Sequence, residues 1–74
     1  MELNSRREKL IDLRKEKGWL QKDVVKNLNA EYDLKISESY YGMIEQGVRT
    51  PALNVALAIS SLFETNPTDI FFDN

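Results

Sequence analysis

The side chains best suited to binding chemistry lie together in a short segment, residues 36–47. Ser37 can cap the first N–H groups of a helix and Gly47 can adopt the left-handed conformation that ends one, which predicts a helix over about residues 38–46. At helical spacing the apolar residues face a core: Ile36, Tyr40 or Tyr41, and Ile44. The other side carries a carboxylate, a hydroxyl, a thioether and an amide around one glycine: Glu38, Ser39, Gly42, Met43 and Gln46. We expect the function to lie on that outer face.

The residue types that most enzymes and metal sites need are missing. The 74 residues include no Cys and no His, which removes disulfides, thiol nucleophiles, His-based catalytic triads and the usual zinc ligands. Neither an acid/base pair nor a phosphate-binding loop can be identified in the sequence. We therefore predict that the protein is not an enzyme and uses no cofactor or metal ion.

Length, hydropathy and charge predict one small domain, residues 1–74, of a cytoplasmic protein. No apolar run approaches the roughly 20 residues that span a bilayer, and charges from Glu2 onward do not fit a signal peptide, so no membrane contact is expected. The formal net charge of −2 disfavours nucleic acid as a partner. However, residues 1–26 hold eight Lys and Arg against five Asp and Glu, so one face can still be positive. An ordinary solvated helix surface also accounts for any single one of these charges.

Helix signals recur along the chain, and no stretch has the alternation of a strand. The first helix is predicted to start at a capping box, Ser5 to Glu8, or at Asn4, and to end at Gly18. The second is predicted over about residues 21–32. In the first helix Ile11 lies off the apolar stripe. Trp19, which follows that helix, is expected to fold back onto the core.

The C-terminal half predicts two more helices. Thr50 caps the first of them and Pro51 suits its first position. Its inward-facing residues recur at helical spacing: Leu53, Ala56, Ile59, Ser60 and Phe63. A second cap, proline and acid sequence at residues 66–69 opens the last helix, which contains three apolar residues: Ile70, Phe71 and Phe72. The predicted fold class is all-α, with five helices.

In this order and spacing, the segments resemble the Cro/lambda-repressor-type (XRE-like) helix-turn-helix domains from Leu10 to Phe71. The matching pieces are Leu13-Arg14-Lys15-Glu16-Lys17-Gly18, Gln21 at the start of helix 2, Ile36-Ser37 through Ile44-Glu45-Gln46-Gly47, Arg49-Thr50-Pro51-Ala52-Leu53, and Asp69-Ile70-Phe71. The resemblance implies a five-helix bundle of the lambda-repressor-like type. Two departures stand out. The chain between Leu28 and Ile36 is several residues longer than the common junction, as in the variant with a lengthened helix 2, and Asp33 takes the usual Gly position there as a left-handed terminator. Leu20 stands where the family prefers Thr or Ser.

The resemblance also implies roles for individual residues. Family members lay the third helix in the DNA major groove, where side chains can read base edges. The base-facing set is then Glu38, Ser39, Gly42 and Met43. Glu38 can accept from cytosine N4, Ser39 can bond either way, and Met43 can pack against a thymine methyl. A partner for the helix dipole is the alternative role of Glu38.

Two further sets follow from the same resemblance. The phosphate-facing set is Gln21, Lys22, Tyr40, Arg49 and Thr50, with one of the two neighbouring tyrosines in the core instead. Arg14 is expected to pair with Glu45 and to hold helix 1 to the third helix. The function implied is that of a sequence-specific DNA-binding transcriptional regulator, a bacterial or phage repressor that binds double-stranded DNA. The alternatives are a protein-binding antirepressor or antitoxin-like module, which the acidic balance and non-basic third helix favour, and a purely structural domain.

The fourth helix carries more apolar residues than one core face needs. Val55, Ala58 and Leu62 form a second stripe, and Phe72 can extend it. A surplus apolar patch marks a partner surface, and the family pairs two copies in this region. We therefore expect a homodimer that reads a palindromic operator and that pairs on DNA if not before. The alternative is that the chain's own C-terminal residues cover Leu62 and Phe72.

Overall fold

The computed structural model describes residues 6–72, and within that range every regular element is helical. The helices are α1 (Glu8–Glu16), α2 (Gln21–Glu31), α3 (Glu38–Gln46) and α4 (Leu53–Leu62), followed by a π-helical segment, Thr68–Phe72. The prediction of an all-α fold with five helices is confirmed. The candidate caps of α1, Asn4 and Ser5, lie outside the described residues, and so does the side chain of Phe72.

One core joins all five segments. It contains buried apolar side chains from each of them: Leu10, Val24, Leu28, Tyr41, Ile44, Ile59, Phe63 and Ile70. Trp19 packs against this core as expected, with its ring centroid 5.9 Å from that of Phe63. Ile11, expected off the apolar stripe, is only 5% exposed. It is buried because α1 packs against both α3 and the C-terminal segment, which covers more than one face of the helix.

The buried face of α4 is broader than its sequence suggested. Val55 and Ala58, expected on a partner-binding stripe, are 5% and 6% exposed and belong to the core, and Leu62 packs partly buried against it. Conversely, Leu53, expected inside, is 67% exposed. At about 100° per residue, the buried residues spread to both sides of Ile59, which leaves Leu53 on the outside. The stripe of Val55, Ala58 and Leu62 is therefore part of the core of one chain.

The start of α4 also differs from the expectation. The helix begins at Leu53, with Ala52 as N-cap residue and no side-chain capping bond, so Thr50 and Pro51 precede the helix. Ala52 is extended, with φ −61° and ψ 157°, and its N–H donates to the hydroxyl of Tyr40 at 3.3 Å. This contact with α3 lies 12 residues away along the chain, so the local capping pattern does not reveal it.

One side chain orders the connection between α2 and α3. The φ of Asp33 is 57°, the left-handed conformation expected of it. The amide of Asn29 then binds the backbone of Ile36 twice. Its Nδ2 donates to the carbonyl oxygen and its Oδ1 accepts from the N–H, both at 3.0 Å. The lengthened connection therefore brings the chain to the start of α3 in a defined position.

The two ends of α3 lie where the sequence predicts them. The Oγ of Ser37 accepts from the N–H of Tyr40 at 3.0 Å. Gly47 follows the helix with a φ of 81°, which a residue with a side chain rarely adopts. Tyr41 is fully buried whereas Tyr40 is only partly buried, so Tyr41 is the core tyrosine. The same helix thus has one face in the core and one face open.

Candidate nucleic-acid interface

The open face of α3 consists of Ser39, Met43 and Gln46. Ser39 and Gln46 are exposed and Met43 is partly buried, and at about 100° per residue the three fall within about 60° of arc. Glu38 is exposed as well, in the first turn and toward α2. Since the three central side chains are uncharged, this face can bind a partner only through hydrogen bonds and apolar contacts.

Gly42, expected to face the bases, is buried against α2 instead. A Cβ atom at this position would lie 3.3 Å from the Oε1 of Gln21. A side chain at this position would therefore press on the Gln21 amide, which would have to shift by a few tenths of an ångström. Gly42 belongs to the contact between the two helices and not to the open face.

The first turn of α2 flanks the open face on this side. Gln21 is partly buried, and its Nε2 donates to the Oε1 of Glu45 at 2.9 Å, whereas Lys22 is exposed. The N–H groups in the first turn of a helix have no partners within it and carry partial positive charge. The N–H of Leu20 donates to Asp23 Oδ2 at 2.8 Å, which supplies a cap bond that the Leu20 side chain cannot. This flank therefore offers an amide, an ammonium group and a helix N-terminus.

The opposite flank is formed by Tyr40 and the loop after α3. Tyr40 lies about 200° around the helix from Gly42, so the open face lies between the two flanks. The guanidinium of Arg49 lies over the Tyr40 ring, 5.7 Å from its centroid. Both Arg49 and Thr50 are exposed. The Tyr40 hydroxyl accepts from Ala52, and its own proton is not used in that bond. The expected phosphate-facing residues thus fall into two groups, one on each side of α3.

A buried ion pair holds α1 to α3. The Nε of Arg14 lies 2.7 Å from Glu45 Oε2, and its Nη2 donates to Oε1 at 3.1 Å. A third nitrogen, Nη1, donates to the carbonyl of Trp19 at 3.0 Å. Glu45 is only 2% exposed, so the removal of either charge would leave the other buried without its partner. The pair therefore fixes the rotation of α3 relative to α1.

Hydrogen bonding determines the charge states of this pair. Burial alone raises the pKa of Glu45, but the hydrogen bonds from Arg14 and Gln21 outweigh burial and hold that pKa below its ordinary value. The hydrogen bond with Glu45 likewise raises the pKa of Arg14 in spite of burial. Both groups are therefore charged at neutral pH.

The hydroxyl of Tyr41 is the exception among the buried polar groups near this pair. It is buried and has no hydrogen-bond partner among the described residues. Burial, reinforced by the negative charge of Glu45, raises the pKa of Tyr41 above its ordinary value. The ring fills the core, whereas the hydroxyl contributes no bond.

Arg7 has a structural role that the sequence did not suggest. Its Nη1 donates to the carbonyls of Ile44 and Arg49 at 2.7 and 3.1 Å, and its backbone N–H donates to the carbonyl of Glu45 at 2.8 Å. Its guanidinium also lies 5.3 Å from the ring centroid of Phe71, and burial lowers its pKa. A cation near a helix C-terminus is a known signal, but the helix here lies 37 residues further along the chain. Arg7 and Arg14 thus use their charge inside the protein.

Among the side chains that the structure describes, residues 6–71, four large apolar ones are exposed: Leu20 (60%), Val48 (64%), Leu53 (67%) and Leu57 (47%). Leu53 and Leu57 are one helical turn apart on α4, and Val48 lies in the loop that precedes that helix. Leu20 stands apart, at the start of α2. The apolar surface of α4 is therefore at Leu53 and Leu57, on a different side of the helix from the expected stripe.

The comparisons with known proteins agree with this geometry. The sequence matches the family described as Helix-turn-helix over residues 10–70. Comparison with curated proteins and with solved structures finds no significant match. Within the described part of the chain, no helix is both long enough and apolar enough to cross a membrane.

Proposed function

The chain belongs to the helix-turn-helix family of the XRE and lambda-repressor type, a family of DNA-binding regulators, and from that we propose a bacterial or phage repressor that reads a specific DNA sequence in the cytoplasm. The observation that carries the proposal is the arrangement around α3. An uncharged open face lies between two flanks that carry donors and cations: Gln21 and Lys22 on one side, Tyr40, Arg49 and Thr50 on the other.

This arrangement suits the major groove of DNA. The groove is about 12 Å wide, admits one helix, and has a phosphate backbone along each wall. With α3 in the groove, the first turn of α2 meets one backbone and the loop after α3 meets the other. Phosphate contacts on both sides orient the helix without reading sequence.

Base reading then falls to the exposed side chains of α3. Glu38 accepts from cytosine N4, Ser39 bonds either way, and Met43 packs against a thymine methyl. Gly42 supports this surface from behind through its contact with Gln21. Because the open face has no arginine or lysine, we do not expect the bidentate guanine contact that those residues make.

Two copies are proposed to pair on a palindromic operator. Leu53 and Leu57 offer the exposed apolar side chains of α4, with Val48 in the loop before it. Three side chains cover far less than the roughly 800 Å² per partner of a stable interface, so pairing requires DNA to hold both copies. Leu57→Lys should weaken binding to a full palindrome and spare binding to a half-site. Ala30→Lys, which adds the same charge at an exposed apolar position of α2, is the control.

The same surface used to bind a protein is the second candidate function. The net charge of −2 and the absence of cations from the open face favour it. Salt separates the two candidates, because each phosphate contact releases counterions and makes DNA binding fall steeply as salt rises. A protein partner held by apolar contacts would respond far less.

Selection of binding sites from random duplexes tests the proposal directly. We expect one enriched sequence, with an affinity that falls with salt. Ser39→Ala and Met43→Ala should change the preferred bases, whereas Lys22→Ala and Arg49→Ala should weaken all duplexes about equally. Lys26→Ala, the same change one turn further from the start of α2, should have a smaller effect. No enrichment, together with salt-insensitive binding, would contradict the proposal.

A further inference from the structure

We propose that Gln21 is a positioning residue for base reading, because its side-chain amide sets the distance between the first turn of α2 and the middle of α3. This inference rests on the proposed function and extends it to a residue pair, Gln21 and Gly42. On this account the phosphate-binding end of α2 and the open face of α3 are placed relative to each other by one contact.

The orientation of the Gln21 amide is determined by its neighbour. Its nitrogen lies 2.9 Å from the Oε1 of Glu45, and an ionised carboxylate can only accept. The amide therefore presents Nε2 to Glu45 and turns its oxygen toward Gly42. Glu45 is itself held by two hydrogen bonds from Arg14, so the amide binds a group that has little freedom to move.

Gly42 provides the space for the other side of the amide. A Cβ there would lie 3.3 Å from Oε1 and 3.9 Å from both Cδ and Nε2 of Gln21. Glycine is unfavourable inside a helix, and the left-handed glycines of the described chain are Gly18 and Gly47, not Gly42. The backbone conformation thus does not require glycine at this position. The constraint at this position is the close contact with the Gln21 amide.

The Gln21 amide also links the two kinds of DNA contact. Its nitrogen carries two hydrogens, and one bond to Glu45 uses one of them. The second can be donated to a phosphate oxygen at the start of α2. A single side chain then meets the backbone of the DNA and determines where the open face of α3 lies. A small shift of α3 would spoil hydrogen bonds to base edges, whose geometry is narrow, before it affected phosphate binding.

A double-mutant cycle of Gly42→Ala and Gln21→Ala tests the inference with two measurements. One is the melting temperature. The other is the discrimination ratio, the affinity for the selected operator divided by that for an unrelated duplex. With Gln21 present, Gly42→Ala should lower the ratio about tenfold, with little change in affinity for the unrelated duplex. With Ala at position 21, the same change should leave the ratio as it is and raise the melting temperature by roughly 4 °C, since Ala favours the helix and meets nothing.

Each alternative result has a separate meaning. If Gly42→Ala lowers DNA affinity equally in both backgrounds, Gly42 meets the DNA itself and the inference is overturned. Additive changes in melting temperature would overturn it too, because they would show that Gln21 and Gly42 are not in contact. If the unmodified protein shows no sequence preference, the proposed function fails. The melting cycle needs no DNA, so it distinguishes that failure from a missing contact.

Discussion

The two ends of α3 are held in different ways. At its N-terminus the side-chain contacts that fix the backbone are neutral and local: Ser37 caps the helix three residues ahead, and Asn29 binds Ile36 seven residues ahead. At its C-terminus they are charged and distant. Arg7 and Arg14 reach it from 37 and 31 residues away. The start of the helix is therefore fixed by its own neighbourhood, whereas its rotation and tilt depend on α1.

This difference matters for how the helix responds to change. Local contacts close short loops, which costs little conformational entropy, so the N-terminal end can form its bonds before the rest of the fold. The C-terminal end acquires its contacts only when α1 packs against α3. Substitutions or pH changes that remove a charge should accordingly loosen the C-terminal end of α3 and leave its N-terminal end intact.

The largest effect is expected at the buried ion pair. Arg14→Ala and Glu45→Ala should each lower the free energy of unfolding by about 3–5 kcal/mol, because each leaves a buried charge without its partner. The double mutant should lose less than the sum, since contacting residues couple. Urea unfolding measures all three. Glu8→Ala, which breaks the exposed pair between Arg6 and Glu8, is the control and should cost at most about 1 kcal/mol. If the losses in unfolding free energy of Arg14→Ala and Glu45→Ala were strictly additive, the claim that α1 orients α3 through this pair would be wrong.

The same ion pair predicts that the C-terminal end of α3 is sensitive to acid. The pKa of Glu45 is lower in the folded protein than its ordinary value of 4.5. In the range between those two values the unfolded chain binds more protons, so stability falls as the pH drops below about 4.5 and is fully present above it. Glu45→Gln should reduce this pH dependence in unfolding curves measured from pH 3 to 7. Glu31→Gln, the same change at an exposed position near the end of α2, is the control, and an equal reduction there would contradict the assignment.

The next effect is expected at Arg7. Arg7→Met keeps much of the apolar stem but removes the donors to Ile44 and Arg49, and bonds of this charged kind contribute about 1.5–3 kcal/mol. Amide exchange should quicken in the last turn of α3 and not in its first turn. Lys9→Met, at an exposed position of α1, should leave both turns unchanged. Faster exchange at the Ser37 end would mean that the two ends are not independent.

A smaller effect is expected at the N-terminal end. Asn29→Ala removes both bonds to the Ile36 backbone and should cost about 1–2 kcal/mol, with faster exchange of the Ile36 amide. Asn29→Asp keeps the acceptor but faces the Ile36 carbonyl with a carboxylate, so only one bond survives. Asn27→Ala, whose amide makes one bond within α2, should cost less than either. Unchanged exchange at Ile36 would show that the connection is ordered by something else.

The smallest effect is expected at Tyr41. Its hydroxyl is buried without a partner among the described residues, so Tyr41→Phe should be neutral or stabilise the fold by up to about 1 kcal/mol. Tyr40→Phe, which removes the acceptor for Ala52, should destabilise the fold slightly. A marked loss of stability in Tyr41→Phe would indicate that the hydroxyl takes part in the network around Glu45.

Sequence reasoning succeeded where a residue determines the structure of positions close to it in the chain. Ser37, Gly47 and Asp33 act within a few residues of themselves, so helix starts, stops and the left-handed turn could be predicted. The position of Gly42 against α2, the start of α4 and the role of Arg7 could not, because each depends on a partner brought close only by the fold. The prediction of which side of α4 is exposed was wrong for a related reason. Helical spacing gives the angle between residues, but it does not say how wide the buried face is.

The separation between buried and open positions on α3 also makes the helix a candidate for retargeting. Tyr41, Ile44 and Glu45 hold it in the fold, whereas the side chains of Ser39, Met43 and Gln46 make no hydrogen bond or ion pair to the rest of the described chain. A library that varies only these three positions should retain the melting temperature of the parent while its members recognise different operators. Position 42 should be left out of such a library, because the space next to it belongs to α2.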